Sequence, residues 1–395
     1  MVKYMDYLKI GLMVVFLVGT LAGGVCAQTA NSLLLKAKKE VEPAVQIQLL
    51  TKAIAKDSRL VNAYHYRADA YAQLGKYEQA LQDYNRVIVL RPKDPFRYYA
   101  RGLAYMQLKK YTLAHSDFSK AISLKKNYPD FYLARARSSA ASGRYESALS
   151  DYAFYLDKSA DPVPLARELI PVYLGAYRYD EAEKQIENLR VQGDDSAPIY
   201  AWYGQILAGK NKVDEAISQY SRAINRAPSY AEAYQLRGNL FKEMGDYEAA
   251  LEDFNTLISL QPDALFYNRR GLIYEEMKAF EHARDDFARA IELSPKWAVP
   301  YNNRAYAYMN LKEWPLAQAD LEKAISLDPS APTPYVNLAG VYWVFKQDAK
   351  SAYNQLEKAV KHNFKNCDSL YDTAQKGWLF EGLNQTAAFR SICYR

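Results

Sequence analysis

The sequence predicts an all-α fold of stacked helical hairpins, and three observations predict it. The chain repeats itself with a period of 34 residues. Within each period the apolar residues fall at helical spacing. Glycine and proline punctuate the periods at fixed places. A repeat array also suits the length of 395 residues. A single core stops growing near about 250–300 residues, whereas a repeat packs only on its neighbours. Half of the residues are hydrophobic and 24% are charged, a balance that excludes an intrinsically disordered chain.

The N-terminus reads as a secretory signal over residues 1–27. Lys3 and Lys9 form a basic start, Ile10 to Leu21 is apolar and is interrupted by Gly11, Gly19 and Thr20, and Val25-Cys26-Ala27 is a small-residue cleavage site. Two other readings stand beside it: a lipid anchor on Cys26, which Gly23-Gly24-Val25 fits poorly, and an uncleaved membrane anchor, for which the run is short against the ~20 residues of a span. No later stretch is apolar enough to cross a membrane, so cleavage leaves no integral membrane domain. Lys3, Lys9 and Asp6 leave with the signal and lower the net charge from +6 to +5. That is mild for the size and gives no footprint for nucleic acid.

Residues 28–60 hold a divergent helix pair, with Leu50 and Ala53 at second-helix positions. The regular array follows. Aligned on Tyr64, Tyr98, Tyr132, Ala166, Tyr200, Tyr234, Tyr267, Tyr301 and Tyr335, the steps are 34 residues, with one of 33 after Tyr234. Thirteen residues on stands a second aromatic in most repeats (Tyr77, Tyr111, Tyr145, Tyr179, Tyr247, Phe280, Trp314), and sixteen on an alanine, from Ala80 to Ala317. The small alanine lets two helices approach. Gly75, Gly143 and Gly245 mark the turn between helices, where a left-handed backbone is cheap for glycine. Pro92, Pro228, Pro262, Pro295 and Pro329 close repeats. These repeats fill 61–196 and 197–365. In the unit at 332–365, Ala352 and Ala359 match only with one inserted residue. The unit at 163–196 carries Pro164 and Pro171 in its first helix, so a bend or weak joint is expected there. Residues 366–395 read as a cap, with Leu370, Trp378, Leu379, Phe380 and Phe389 as its apolar face.

The register of tyrosine, second aromatic, alanine and proline resembles the tetratricopeptide-repeat family over nearly the whole chain. The resemblance implies a right-handed superhelix of helix–turn–helix units that binds protein or peptide partners and needs no cofactor. It also implies that first helices line a groove, with ligand contacts from their second, fifth, sixth, ninth and twelfth residues. Those positions include His65, Asp69, Tyr99, Arg137, Arg167, Gln205, Gln235, Asn239, Asn268, Arg269, Asn302, Asn303, Tyr306 and Asn337. Asn239, Asn268, Asn302, Asn303 and Asn337, with Arg269 and Tyr306, are the candidate peptide site, because an amide both donates and accepts. A merely solvated wall is the other reading. One subtype of the family grips a peptide's terminal carboxylate with Lys and Arg around a central asparagine. Asn303 matches that asparagine, but Asn268, Leu272, Thr333 and Asn337 replace the flanking bases, which puts such a clamp in doubt.

Beyond the family pattern, arginine stands three residues after the first tyrosine in six repeats (Arg67, Arg101, Arg135, Arg237, Arg270, Arg304), and aspartate sixteen residues later in the same six (Asp83, Asp117, Asp151, Asp253, Asp286, Asp320). The other three repeats have Leu169, Tyr203 and Leu338, then Gln185, Gln219 and Asn354. Charges that appear and vanish together point to contact, and to a structural rather than catalytic use. The 35 tyrosines read as packing residues with hydroxyls at the edge; an exposed sugar-binding strip, and with it a cell-wall ligand, is the alternative. Cys367 and Cys393 form an even pair that an oxidising compartment invites to a disulfide, or two buried thiols. Four histidines, none at metal-ligand spacing with another histidine or cysteine, and no phosphate loop or nucleophile elbow, leave no segment for a catalytic domain.

The charge register yields a quantitative expectation for Arg101 and Asp117. Truncating either partner should cost about 3–5 kcal/mol if the pair is shielded, against at most about 1 kcal/mol if it is exposed, and a double-mutant cycle in urea unfolding should show a clear coupling. A coupling near zero would remove the contact.

Overall fold

The computed structural model describes residues 29–159, 164–364 and 386–393, and among them there is helix and turn but no strand. Helix α1 covers 29–39 and pairs in sequence with α2, Pro43–Lys56. The first helices of the repeats are α3 (Val61–Gln73), α5 (Pro95–Gln107), α7 (Pro129–Ala141), α9 (Ala166–Gly175), α11 (Ala197–Gly209), α13 (Ala231–Met244), α15 (Ala264–Glu276), α17 (Ala298–Asn310) and α19 (Thr333–Val344). Their second helices are α4 (Tyr77–Leu90), α6 (Tyr111–Leu124), α8 (Tyr145–Lys158), α10 (Tyr179–Val191), α12 (Val213–Arg226), α14 (Tyr247–Leu260), α16 (Phe280–Leu293), α18 (Trp314–Leu327) and α20 (Ala349–Lys361). A short α21, Ala387–Cys393, packs on α20.

The chain forms two compact units, one up to Leu189 and one from Arg190. In the first, α3, α5 and α7 each pack on their own second helix and on the second helix before it, and α9 packs on α8. In the second, α13, α15, α17 and α19 do the same, and α11 packs on α12. The irregular repeat lies at the boundary. Its α9 has ten residues and an interior Pro171, which has no N–H to donate back along the helix.

Packing inside a repeat explains the small residues. Phe118, Phe254 and Phe287 are fully buried, and each faces a glycine of the first helix. A Cβ on Gly102 would stand 2.5 Å from Phe118 Cε1, and one on Gly271 would stand 2.7 Å from Phe287 Cε1. Glycine in a helix interior costs about 1 kcal/mol against alanine; here the ring takes the space the methyl would fill. The repeated alanines from Ala80 to Ala324 that join the helices are wholly buried. In the second unit α21 adds Phe389 and Ile392 to the cluster of Tyr335, Val341 and Leu356. Tyr353 donates to Thr386 Oγ1 at 2.8 Å. The signal segment, Cys26, Cys367 and the apolar residues Leu370, Trp378, Leu379 and Phe380 lie outside the described residues, as does the side chain of Cys393.

The turns show what the glycines alone did not. The residue at the turn has positive φ not only at Gly75, Gly143 and Gly245 but also at Lys109, Tyr177, Asn211, Lys278, Lys312 and Gln347. In all but the last of these turns, two backbone bonds impose it. The N–H of Lys278 donates to Glu275 O at 2.9 Å, and the next N–H, of Ala279, reaches back to Tyr274 O at 2.8 Å. This double closure of a helix end requires a left-handed residue whatever its side chain. In the last repeat the inserted residue sits in the turn, and the N–H of Asp348 bonds Tyr342 O instead.

A non-glycine residue in this region costs roughly 1–2 kcal/mol, part of which glycine's greater unfolded-state freedom offsets. Lys278→Gly (φ 59) is therefore expected to stabilise the protein by about 0.5–1 kcal/mol, and Gly245→Ala (φ 82) to destabilise it by a similar amount. Urea midpoints decide this; a destabilised Lys278→Gly contradicts it.

Candidate functional site

The recurrent charges occupy the joints between helices. In each of the six repeats the arginine Nε and Nη2 donate to the two oxygens of the aspartate, at 2.6–2.9 Å. The aspartate side chains are 3–11% exposed and the arginines 16–23%. The bidentate fork matches the geometry of a planar guanidinium. Hydrogen bonding to the carboxylate raises each arginine above its ordinary range. At Asp253 and Asp286 burial pushes the carboxyl upward against the pull of the arginine.

The third arginine nitrogen reaches a third helix. Nη1 of Arg67 donates to Thr51 Oγ1 at 3.0 Å, that of Arg101 to Asn85 Oδ1 at 2.6 Å, and that of Arg135 to Ser119 Oγ at 3.3 Å. Arg237 and Arg270 reach Ser221 and Asn255 in the same way, at 2.7 and 2.6 Å. Each acceptor belongs to the preceding second helix. One guanidinium therefore joins its own helix, its partner helix and the neighbour before it. The sequence reading missed this acceptor.

Tyrosines flank the guanidinium. Arg101 lies 5.9 Å from the Tyr98 ring centre and 5.8 Å from that of Tyr105; Arg270 and Arg304 sit likewise between Tyr267 and Tyr274, and between Tyr301 and Tyr308. Residues three before and four after the arginine share its helix face, and an arginine over an aromatic face gains cation–π energy. Tyr98, Tyr301 and Tyr335 donate their hydroxyls to Pro92, Pro295 and Pro329 carbonyls at 3.0–3.1 Å. Among the described residues Tyr177 is the one tyrosine at the surface, 78% exposed. This weighs against a flat sugar-stacking strip.

The groove-face residues divide between the units. In the second unit the asparagines bond one another. Asn337 Nδ2 donates to Asn302 Oδ1 at 3.0 Å, Asn302 Nδ2 to Asn303 Oδ1 at 3.3 Å, and Asn303 Nδ2 to Asn268 Oδ1 at 3.1 Å. This chain crosses α15, α17 and α19, and Asn268 is buried beneath it. Arg269 Nη1 donates to Asn239 Oδ1 at 3.1 Å, and the two line a cleft of about 190 Å³ with Lys242, Glu243, Phe254 and Leu272. Tyr306 is half-buried, and its carbonyl accepts from Asn310.

In the first unit the clefts are larger. One of about 680 Å³ is lined by His65, Asp69, Tyr84, Phe96, Tyr99, Leu103 and Gln107, among others, and one of about 250 Å³ shares Tyr99, Leu103 and Gln107 with it. A third, of about 350 Å³, contains Arg137, Tyr152 and Glu168. Arg137 and Glu168 form a bidentate pair at 2.9 and 2.7 Å, and that bonding lowers the Glu168 carboxyl. Tyr84 donates to Asp69 Oδ1 at 2.6 Å. The His65 ring lies tilted against Tyr66 and Tyr84, and burial pulls its imidazole below the ordinary range. Phe96 and Leu103 were not singled out in sequence, although they occupy the second and ninth places of their repeat. Gln205 and Gln235 lie on α11 and α13, and Arg167 on α9, outside the residues that line these clefts. His282 packs against Tyr274 and His362 against Tyr335, so these histidines serve as packing rings.

Comparison with known proteins follows the same lines. Tetratricopeptide-repeat (TPR) family models match residues 49–82, 97–128, 236–296 and 298–331, and a TPR repeat model matches 68–109 and 204–245. Among solved structures, MamA from Desulfovibrio magneticus is 21% identical over 44% of this chain and 98% of its own, with a TM-score of 0.40. YrrB, described as a TPR protein with an unusual peptide-binding site, is 18% identical over 48% of this chain and 97% of its own, also at 0.40. The C-terminal part of a TPR repeat-containing protein from Cytophaga hutchinsonii is 20% identical over 69% and 98%, at 0.39. A UDP-N-acetylglucosamine–peptide N-acetylglucosaminyltransferase of Giardia intestinalis is 38% identical over 60 residues, which span 15% of this chain and 4% of that enzyme.

Glu275, on α15 near Tyr306, carries a pH signature. Burial, reinforced by Glu276 and opposed by Lys242, pushes its carboxyl up to about 7. The folded state thus keeps a proton that the unfolded chain releases near 4.5. The stability this adds is complete below that value and is lost as pH rises through about 7, at no more than about 1.4 kcal/mol per pH unit. Glu275→Gln should abolish the slope, so the variant gains on the parent between about pH 5 and about pH 8 in urea unfolding; parallel profiles would contradict this.

Proposed function

The chain belongs to the tetratricopeptide-repeat family, and from that premise we propose that it is a non-catalytic scaffold that binds partner segments along the faces of its first helices. One observation carries the reading. The ionisable groups that recur in the repeats are committed to joints between helices, whereas the first-helix faces keep clefts with apolar groups left half-open, Phe96 at 41% and Leu103 at 42%. Concave sites with apolar walls and a few polar groups suit ligand capture. The asparagines from Asn239 to Asn337 are the second face able to meet a peptide backbone, through the bonding capacity their mutual contacts leave over. We further propose export to the periplasm or cell envelope, on the strength of the cleavage site Val25-Cys26-Ala27.

Site-specific photo-crosslinking in cells of the native host tests both parts. A photoreactive residue at Tyr99 or Tyr306 should give discrete crosslinked partners, one at the exposed Tyr177 should not, and the crosslinked chain should begin at Gln28 by mass spectrometry. Equal crosslinking from all three positions would sink the groove reading, and a chain that retains residues 1–27 and fractionates with the cytoplasm would sink the export.

A further inference from the structure

The face of the first unit joins apolar surface to negative charge that no cation among the described residues neutralises. The clefts of about 680 and 250 Å³ meet at Tyr99, Leu103 and Gln107, so a single furrow crosses α3, α5 and α7. Its floor is apolar, and Phe96 and Leu103 stay about two-fifths exposed. Its two edges carry Asp69 and Asp130. Among the described residues neither carboxylate has a lysine or arginine within ion-pair distance, since Asp69 meets only His65, at 3.4 Å, and the Tyr84 hydroxyl. Burial pulls the His65 imidazole below its ordinary range, which disfavours its cationic form beside Asp69. Its Nδ1 is buried without a hydrogen-bond partner. The other charges along the furrow are spent on one another: Arg97 pairs with Asp94, and Arg137 with Glu168.

On the peptide-binding reading of this face, we propose that the furrow takes an extended segment of a partner protein that places an aliphatic or aromatic side chain over Leu103 and Phe96 and a lysine or arginine beside it, against Asp69 or Asp130. The apolar side chain covers surface that would otherwise stay wet. The cation meets carboxylates whose sign selects against acidic segments, because like charges at such an edge repel. The second unit's cleft carries mixed charge, with Arg269 and Lys242 beside Glu243, so it does not share the acidic rim of the furrow.

The test uses the full-length mature chain and an array of random synthetic hexapeptides. Bound peptides should be enriched in an apolar residue next to Lys or Arg. Their affinity should fall roughly tenfold in Asp69→Asn with Asp130→Asn and in Leu103→Ser. It should weaken with added salt and stay unchanged in Tyr177→Asn, a control at the exposed turn before α10. Asparagine can still accept from Tyr84, and thermal unfolding of each variant separates lost binding from lost fold. Enrichment of acidic peptides, or affinity indifferent to Asp69, Asp130 and Leu103, overturns the assignment while leaving peptide binding intact. An array on which nothing binds counts against peptide binding itself and takes this assignment with it.

Discussion

One guanidinium bonded to three helices is the constraint on which the rest of the structure depends. A helical hairpin of this length cannot bury its apolar face alone, so its stability comes from the hairpin before it. Alanine and ring packing supply area but little direction. Arg101 supplies direction: two nitrogens fix Asp117 on its own hairpin, and the third fixes Asn85 on the preceding one. A planar fork permits one relative orientation of those helices. Breaking it would leave a carboxylate that is 6% exposed without its partner, the costly case for buried ion pairs.

The tyrosines follow from the same constraint. With the arginine at a fixed place on the first helix, rings three before and four after it lie over the guanidinium, and the earlier ring can also donate its hydroxyl to the proline carbonyl that closes the previous repeat. This use of aromatic residues leaves few at the surface. The clefts are lined by other residues of the first helices α3, α5, α7, α13 and α15. The repeat at 163–196, which has neither arginine nor aspartate at these places, is also the one whose first helix holds an interior proline and whose second helix contains the boundary between the compact units.

The fold class was legible because a 34-residue period, helical spacing and punctuation agree. The acceptor on the preceding helix was not read, although the chain carries a signal for it. Thr51, Asn85, Ser119, Ser221 and Asn255 each precede a repeat that has the arginine, whereas Ala153, Glu187 and Glu322 precede the repeats that lack it. The register crosses a repeat boundary, and Ala288 before Arg304 breaks it. Turns were legible only where glycine stands, since the two backbone bonds impose the same conformation on Lys278. The groove was harder. A sequence counts the hydrogen-bonding capacity of Asn302, Asn303 and Asn337 but not its users, and the users include each other. Phe96 and Leu103 have the chemistry of core residues, and periodicity places them on a face without saying whether anything covers it.

The most direct test of the three-helix joint is native-state hydrogen exchange in Arg101→Lys. Lysine keeps the charge but cannot hold Asp117 bidentately and reach Asn85 at once. The joint predicts faster exchange in α5 and α6 and also in α4, on the preceding repeat. Loss of protection confined to α5 and α6, with α4 unchanged, would contradict it.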